Sequence, residues 1–478
     1  VIHTLTPYPA YRNSGVSWLG EVPAHWEVKR LKQCAERFYA GGTPDSGNAE
    51  YYCNPPEGLP WLVIADMTKQ KYVKKTIKAI TEKGRASKNL EALSEGTILY
   101  SIYASLGTVS ILEIKAAVNQ AIIGIKFRKS DLETKFAFHY LENLRPHLAL
   151  MSNSNTQANL NAEKVRSLPL FLPPLPEQSA IVRYLDYMDR RIRRYIHAKQ
   201  KLIKLLEEQK QAIIHRAVTR GLDPDVRLKD SGVEWLGEVP EHWDIWQIGH
   251  FAKVGNGSTP SRGSLDYWKN GTYPWLNSSY ANQKSVTQAD QFVTDVALKE
   301  CHLPKVPIGS ILVAITGQGK TRGKATILHI DATINQHLAY ITPKNILISP
   351  DYLQLALEGA YLQLRAISDD SGSTKGALTC SDLKHFRIAL PSLSEQERIL
   401  YSVQNMNLAL NNSINTTLQE IALLREYRTR LISDVVTGKL DVREAAANLP
   451  EEIGDIEIIE DEAEESGDED LEEMTEEE

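Results

Sequence analysis

The sequence states one long phrase twice. Ser14 to Val28 reads SGVSWLGEVPAHWEV and Ser231 to Ile245 reads SGVEWLGEVPEHWDI, with eleven of fifteen positions identical at an offset of 217 residues. That period is nearly half of the 478-residue chain, far beyond the roughly 20 to 50 residues of a solenoid unit, so it requires a duplicated domain or domain pair. The echoes continue in order. Gly42-Thr43-Pro44 returns as Ser258-Thr259-Pro260, Pro60-Trp61 as Pro274-Trp275, and Val118-Asn119-Gln120 as Ile334-Asn335-Gln336. The polar stretch Ser152 to Leu160 answers Gly372 to Leu378, and LPPLPEQ (Leu172 to Gln178) answers LPSLSEQ (Leu390 to Gln396). Between these anchors Tyr72 to Leu93 bears little likeness to Lys284 to Lys305, so one frame carries two different contents.

Composition narrows the class. At 42% hydrophobic and 24% charged, the chain can build two to four domains with proper cores. No run approaches the eighteen or more apolar residues of a membrane span. Cys34, Cys53, Cys301 and Cys380 are scattered without CxxC or His spacing, which predicts neither a disulfide framework nor a zinc site and fits a reducing cytoplasm. The net charge of −7 hides an asymmetry, because Glu451 to Glu478 holds seventeen Asp or Glu and no Lys or Arg. The remainder carries 54 basic against 44 acidic residues, a balance that favours a polyanionic partner. Like-charge repulsion predicts a disordered tail from 446 to 478.

Two long helices follow the repeated LPxLxEQ phrase. Neither Glu177 to Arg220 nor its counterpart from Glu395 contains Pro or Gly until the related terminators AVTRGLD and VVTGKLD, whose Gly221 and Gly438 suit the residue just past a helix end. Heptad steps pick out Ile181, Leu185, Met188, Ile192, Tyr195, Leu202 and Leu206 in the first, with polar Lys199 and Gln209 interrupting. In the second they pick out Ile399, Val403, Met406, Leu410, Leu424, Tyr427 and Leu431, with polar Ser413, Thr417 and Glu420 interrupting. Each narrow seam predicts one partner helix, and the two are expected to pair antiparallel as a stiff rod. Before each helix lie mixed segments with β-branched runs at Gly96 to Leu99, Ile122 to Ile125, Gly309 to Ile315 and Leu338 to Ile341, and helical stretches near Leu132 to Leu144 and Asp351 to Leu364. The expected class is α+β: a first domain at 12–172, a spacer helix at 173–228, a second domain at 229–390, a second spacer at 391–445, then the tail.

Three motifs imitate catalytic sites. Ala314-Ile315-Thr316-Gly317-Gln318-Gly319-Lys320-Thr321 fits a relaxed phosphate loop, but such a loop must run from strand into helix, and Arg322 to Leu328 reads as another strand. A strand-loop-strand tip offering its polar side chains to a polyanion is the better fit. Asn54-Pro55-Pro56-Glu57 lacks the aromatic ring that an extruded base would stack on, and reads as a turn. His25 and His242, each in a P-x-H-W phrase, suit packing or capping roles.

The doubled SGVxWLGEVPxHW opening, Thr156-Gln157-Ala158-Asn159-Leu160 running into LPLFLPPLPEQ, and the terminal ISDVVTGKLDV together resemble the specificity subunit of type I restriction-modification systems. The resemblance spans nearly all of residues 8 to 445; the acidic tail departs from it. It implies a non-catalytic chain with two target-recognition domains, each reading one half of an asymmetric, split double-stranded DNA site. It also implies that the paired helices set the half-site spacing and dock two methyltransferase subunits, with restriction subunits joining them. AdoMet, ATP and Mg are then expected on those partners and no cofactor or metal on this chain. Similar domains present DNA-facing loops at the Gly-Thr-Pro segment and the strand-loop-strand tip. The resemblance therefore points to Gly42, Thr43, Lys69, Lys71, Lys74, Lys75 and Gln157 in the first copy, and to Ser258, Thr259, Gln318, Lys320, Arg322, Lys324 and Lys375 in the second. A reader fused to its own catalytic domain, and a coiled-coil adaptor whose ends bind proteins, are the alternatives.

Overall fold

The structure is a computed structural model that describes residues 5–16, 20–68, 71–103, 105–151, 160–317, 320–344, 347–369 and 376–450. It divides into two compact units, the first formed by Val1–Ala198 with Gln419–Glu478 and the second by Lys199–Leu418. The same strand order appears in each. In the first unit a five-stranded sheet runs Ala35–Ala40, Ile122–Phe127, Ile98–Ser101, Val109–Leu112, Tyr72–Val73, antiparallel except for the last, parallel pair. In the second it runs Ala252–Asn256, Leu338–Pro343, Ile311–Ala314, Ala325–Leu328, Ser285–Val286 with the same senses. The β-branched runs read from the sequence are the central strands of these sheets, buried on both faces, which explains why they are apolar throughout instead of alternating. A helix packs on each sheet, Thr134–Met151 in the first unit and Pro350–Gly359 followed by Tyr361–Asp369 in the second.

The repeated opening phrase forms a hairpin followed by a buried tryptophan. Tyr11–Asn13 pairs with Glu21–Pro23, and Leu228–Asp230 with Glu238–Pro240. Trp26 and Trp243 are buried in the two cores. Each lies under the terminator of a long helix: an added Cβ on Gly438 would meet Pro23 Cδ at 2.4 Å and Trp26 Cη2 at 3.1 Å, and one on Gly221 would meet Trp243 Cζ2 at 3.3 Å. Both glycines have positive φ, 76° and 74°.

The Glu-Gln pair of LPPLPEQ and LSEQ ties each long helix to its sheet domain. Gln178 accepts from Glu133 N (2.8 Å) and donates to the carbonyls of Asp131 (3.0 Å) and Pro173 (2.9 Å). Gln396 repeats the pattern with Ser349 N (2.8 Å) and the carbonyls of Leu347 and Pro391 (both 3.0 Å). Buried Glu177 accepts hydrogen bonds from Tyr8 (2.6 Å) and Trp26 (2.8 Å) and meets His25 Nε2 at 2.8 Å. His242 meets Glu395, in the first turn of the second long helix, in the same way at 3.0 Å.

The long helices run Leu175–Arg220 and Leu393–Val436, 46 and 44 residues. Each contributes one half to each unit. In the first unit Ile181 and Leu185 share a core with Leu431, Ile432, Val435 and Val436, and Asp189 pairs with Arg428 at 2.5 Å. In the second, Ile214, Ala217 and Val218 share a core with Ile399 and Val403, and Lys210 donates to Asn411 Oδ1 at 2.7 Å. Rising numbers on one helix meet falling numbers on the other, so the halves pack antiparallel.

The heptad reading fails in the middle of both helices. Ile181, Leu185, Met188 and Ile192 face inward as expected, but Tyr195 and Leu202 are 52% and 44% exposed. Lys199 and Leu206 keep their seam places, while Ile196, Ile203, Lys210 and Ile214 turn inward beside them. On the second helix Ile399, Val403, Leu410, Thr417, Leu424 and Leu431 hold their places, whereas Met406 and Tyr427 are each 40% exposed and Asn407, Ile414 and Ile421 turn inward. The physical reason is that both helices keep about 3.6 residues per turn, so a strict seven-residue count drifts by about 20° per heptad.

Two outcomes follow for stability. Gly438→Ala combines a left-handed backbone with a direct clash against Pro23 and should cost clearly more than Gly221→Ala, which carries the backbone penalty of about 1 to 2 kcal/mol and only a mild crowding of Trp243 at 3.3 Å; chemical denaturation of both variants measures the difference. Burial opposes the charge of Asp189, but Arg428 and Arg193 outweigh it and hold its carboxyl below the usual range. A depressed carboxylate contributes stability above its unfolded value, about pH 4, and loses it as pH falls through the folded value. Asp189→Asn should therefore cost about 1 to 3 kcal/mol at neutral pH, and denaturation across a pH series should show that penalty shrinking below about pH 4.

Candidate nucleic-acid interface

A loop clamp of the same construction appears in both units. Gly42 N donates to Val118 O at 3.0 Å, Trp61 Nε1 donates to Gly42 O at 3.1 Å, and Asn119 N donates to Leu62 O at 3.0 Å. The second unit repeats each bond: Ser258 N to Ile334 O at 3.0 Å, Trp275 Nε1 to Ser258 O at 3.2 Å, Asn335 N to Leu276 O at 2.9 Å. Thr43 is hydrogen-bonded to Gln120, and Thr259 to Gln336 at 2.5 Å. The preceding glycines let two backbones touch, because a Cβ on Gly41 would lie 1.8 Å from Asn119 O and one on Gly257 equally close to Ile334 O. The Gly-Thr-Pro, Pro-Trp and Asn-Gln echoes in the sequence are thus one joint, and Gly42, Thr43, Ser258 and Thr259 hold its loop in place.

The loops that differ hang from this joint and from the sheet edge. Lys71 to Lys78 reads KYVKKTIK, where register places Lys284 to Gln291, KSVTQADQ, in the second unit. Lys74, Lys75 and Lys78 are exposed, as is Ile77 at 66%. Buried Asp66 accepts from Ile77 N at 2.9 Å, which fixes the tip.

Lys71 departs from expectation. Its ammonium faces inward to Asp186 at 2.9 Å, with His139 Nε2 at 3.5 Å and the Phe138 ring beneath it. Burial disfavours the Asp186 charge, but His139, Lys71 and Lys135 prevail and pull its carboxyl well below the ordinary range. Burial likewise lowers the His139 pKa, which favours the neutral ring. Lys71 therefore joins the sheet domain to the long helix, a role that sequence cannot separate from DNA contact because Asp186 lies 115 residues away.

The strand-loop-strand reading of the tip between Ile311–Ala314 and Ala325–Leu328 holds, and among the described residues no helix follows Thr321 before the second strand. Lys320 is exposed, and Lys324 is half-buried with its ammonium donating to Asn282 Oδ1 at 2.8 Å. Arg322 is a second correction. It is buried, donates to Gly376 O at 2.8 Å and pairs with Asp369, tying the helix Tyr361–Asp369 to the loop after it. Lys69, Gln157, Gln318 and Lys375 lie outside the described residues, as does the tail from Glu451.

Sequence reasoning passed over Arg262. It lies two residues past Pro260, is exposed, and places its guanidinium 4.3 Å from the Trp268 ring and 4.8 Å from that of Trp275. An arginine two residues after a Thr-Pro turn, with two nearby tryptophans, was the available signal.

Comparison with known proteins places this frame. The family model described as the type I restriction modification DNA specificity domain matches twice, at residues 23–205 and 240–422. The specificity subunit of the Escherichia coli type I restriction enzyme EcoR124I/EcoR124II is 24% identical over 309 residues, 63% of this chain and 70% of that one. The MjaVIII specificity subunit of Methanocaldococcus jannaschii is 20% identical over 433 residues, 88% of this chain and 94% of the relative. Among solved structures, a chain from work on complex assembly and conformational transition of the type I R-M system shares the fold, with a TM-score of 0.63 over 88% of this chain and 99% of that one at 16% identity. With the family domain matched once in each half of the sequence and the same loop clamp built twice, this chain belongs to the type I restriction-modification DNA specificity family.

Proposed function

We propose that this chain reads a split, asymmetric double-stranded DNA target, one half-site per unit, and brings separate methyltransferase and restriction subunits to it. The observation that carries this is the pairing of an identical joint with unlike loops: a device that must meet two different sequences keeps its frame and varies what it presents. Phosphate contacts from lysines set register, and side chains at base edges discriminate. Two methyltransferase copies suit a chain with an internal repeat, since each repeat offers an equivalent surface. AdoMet, ATP and Mg belong on those partners in this reading, and the chain itself supplies recognition.

A map of methyladenine in cells carrying the partner methyltransferase, with and without this chain, tests the reading. A split motif that appears only with the chain, and whose one half changes when residues 12–172 are exchanged for another reader, is the expected result. Identical methylation in both strains removes it. The lysines separate cleanly in a second measurement. Lys74→Ala with Lys75→Ala should lower the salt dependence of DNA binding, by about 0.9 in the log-log slope for each phosphate no longer neutralised. Lys71→Met should leave that slope alone and instead lower stability by about 1 to 3 kcal/mol, because Asp186 loses its nearest cation and keeps Lys135 at 3.3 Å.

A further inference from the structure

We propose that Arg262 reads a guanine in the half-site of the second unit, an assignment that rests on the DNA-reading function above. The two units hold the loop after the Thr-Pro turn in the same way but load it differently. In the second unit both indoles serve twice. Trp275 donates its N–H to Ser258 O (3.2 Å) and Trp268 donates its own to Ser261 O (3.0 Å), while their faces carry the Arg262 guanidinium. The two rings stand edge to face, 5.2 Å apart at 83°. Gln291 Oε1 accepts from Arg262 Nη1 at 2.8 Å, fixing the plane of the fork.

The first unit has the same joint and no arginine in its loop. Trp61 donates to Gly42 O, and Tyr52 takes the place of the second indole, edge-on to Trp61 at 5.7 Å with its hydroxyl donating to Pro44 O at 2.7 Å. The loop it secures reads Asp45-Ser46-Gly47-Asn48, without a cation. Holding the loop therefore does not require Arg262, and its placement needs another reason. Exposed arginines on flexible stems lose much rotamer freedom when they bind, whereas one already stacked and hydrogen-bonded loses little. A planar fork held at Nη1 by Gln291, on an exposed residue, matches the paired O6 and N7 acceptors that guanine presents in the major groove. Lysine at the same place would keep the charge without the fork.

The test uses the full chain with its partner methyltransferase. Methylation maps for the wild type, Arg262→Ala and Arg262→Lys should show one guanine position of the second half-site relaxing by about 5- to 150-fold in both variants, with the first half-site unchanged. Replacing that guanine by 7-deazaguanine in an oligonucleotide should weaken the wild type and leave Arg262→Ala unaffected, a comparison made on the DNA side that does not depend on how a variant folds. A second half-site without any G·C pair overturns the assignment. So does a wild type indifferent to 7-deazaguanine at every guanine, or an Arg262→Lys variant with full stringency. These results leave the split motif itself in place, whereas absence of any chain-dependent motif defeats the DNA-reading function as a whole.

Discussion

The buried carboxylate of Glu177, at the first turn of a 46-residue helix, joins that helix to the opening hairpin of the first unit. It satisfies the Tyr8 hydroxyl, the Trp26 indole and His25 at once, and it sits where the helix dipole favours negative charge. Its neighbour Gln178 closes backbone groups of the sheet domain. A long helix and a sheet domain are thereby set at a defined angle. The second unit keeps Gln396 whole but simplifies the carboxylate: Glu395 meets His242, and Trp243 Nε1 is buried with no partner among the described residues. An unsatisfied buried donor is costly, so the second junction leans more on the apolar packing of Trp243 against the Gly221 terminator.

Function hangs on the opposite principle. The loop clamps join three segments through backbone bonds, a tryptophan N–H and a Thr-Gln pair, none of which depends on what the loop presents. Content can therefore change without disturbing the frame. Lys74, Lys75 and the exposed Ile77 in one unit, and Arg262 on its two indoles in the other, are such contents. Among the charged residues picked out by sequence, Lys71 and Arg322 proved to belong to the frame. Composition cannot tell a cation that binds a ligand from one that crosslinks two elements.

The sequence by itself determined the duplication, the alternation of sheet domain and long helix, the helix ends at Gly221 and Gly438, and the strand-loop-strand nature of the 314–321 tip, because each is written in local order, periodicity or turn chemistry. Tertiary structure alone decided which face of each helix is buried. A heptad count and a straight helix of about 3.6 residues per turn agree over Ile181 to Ile192 and part company by Tyr195 and Leu202. It also decided the meaning of the lysines and arginines, since Asp186 and Asp369 lie far along the chain from Lys71 and Arg322 and come within reach only when the sheet packs on its helix. Pairing across such separations is a property of the fold, and no window of sequence contains both partners.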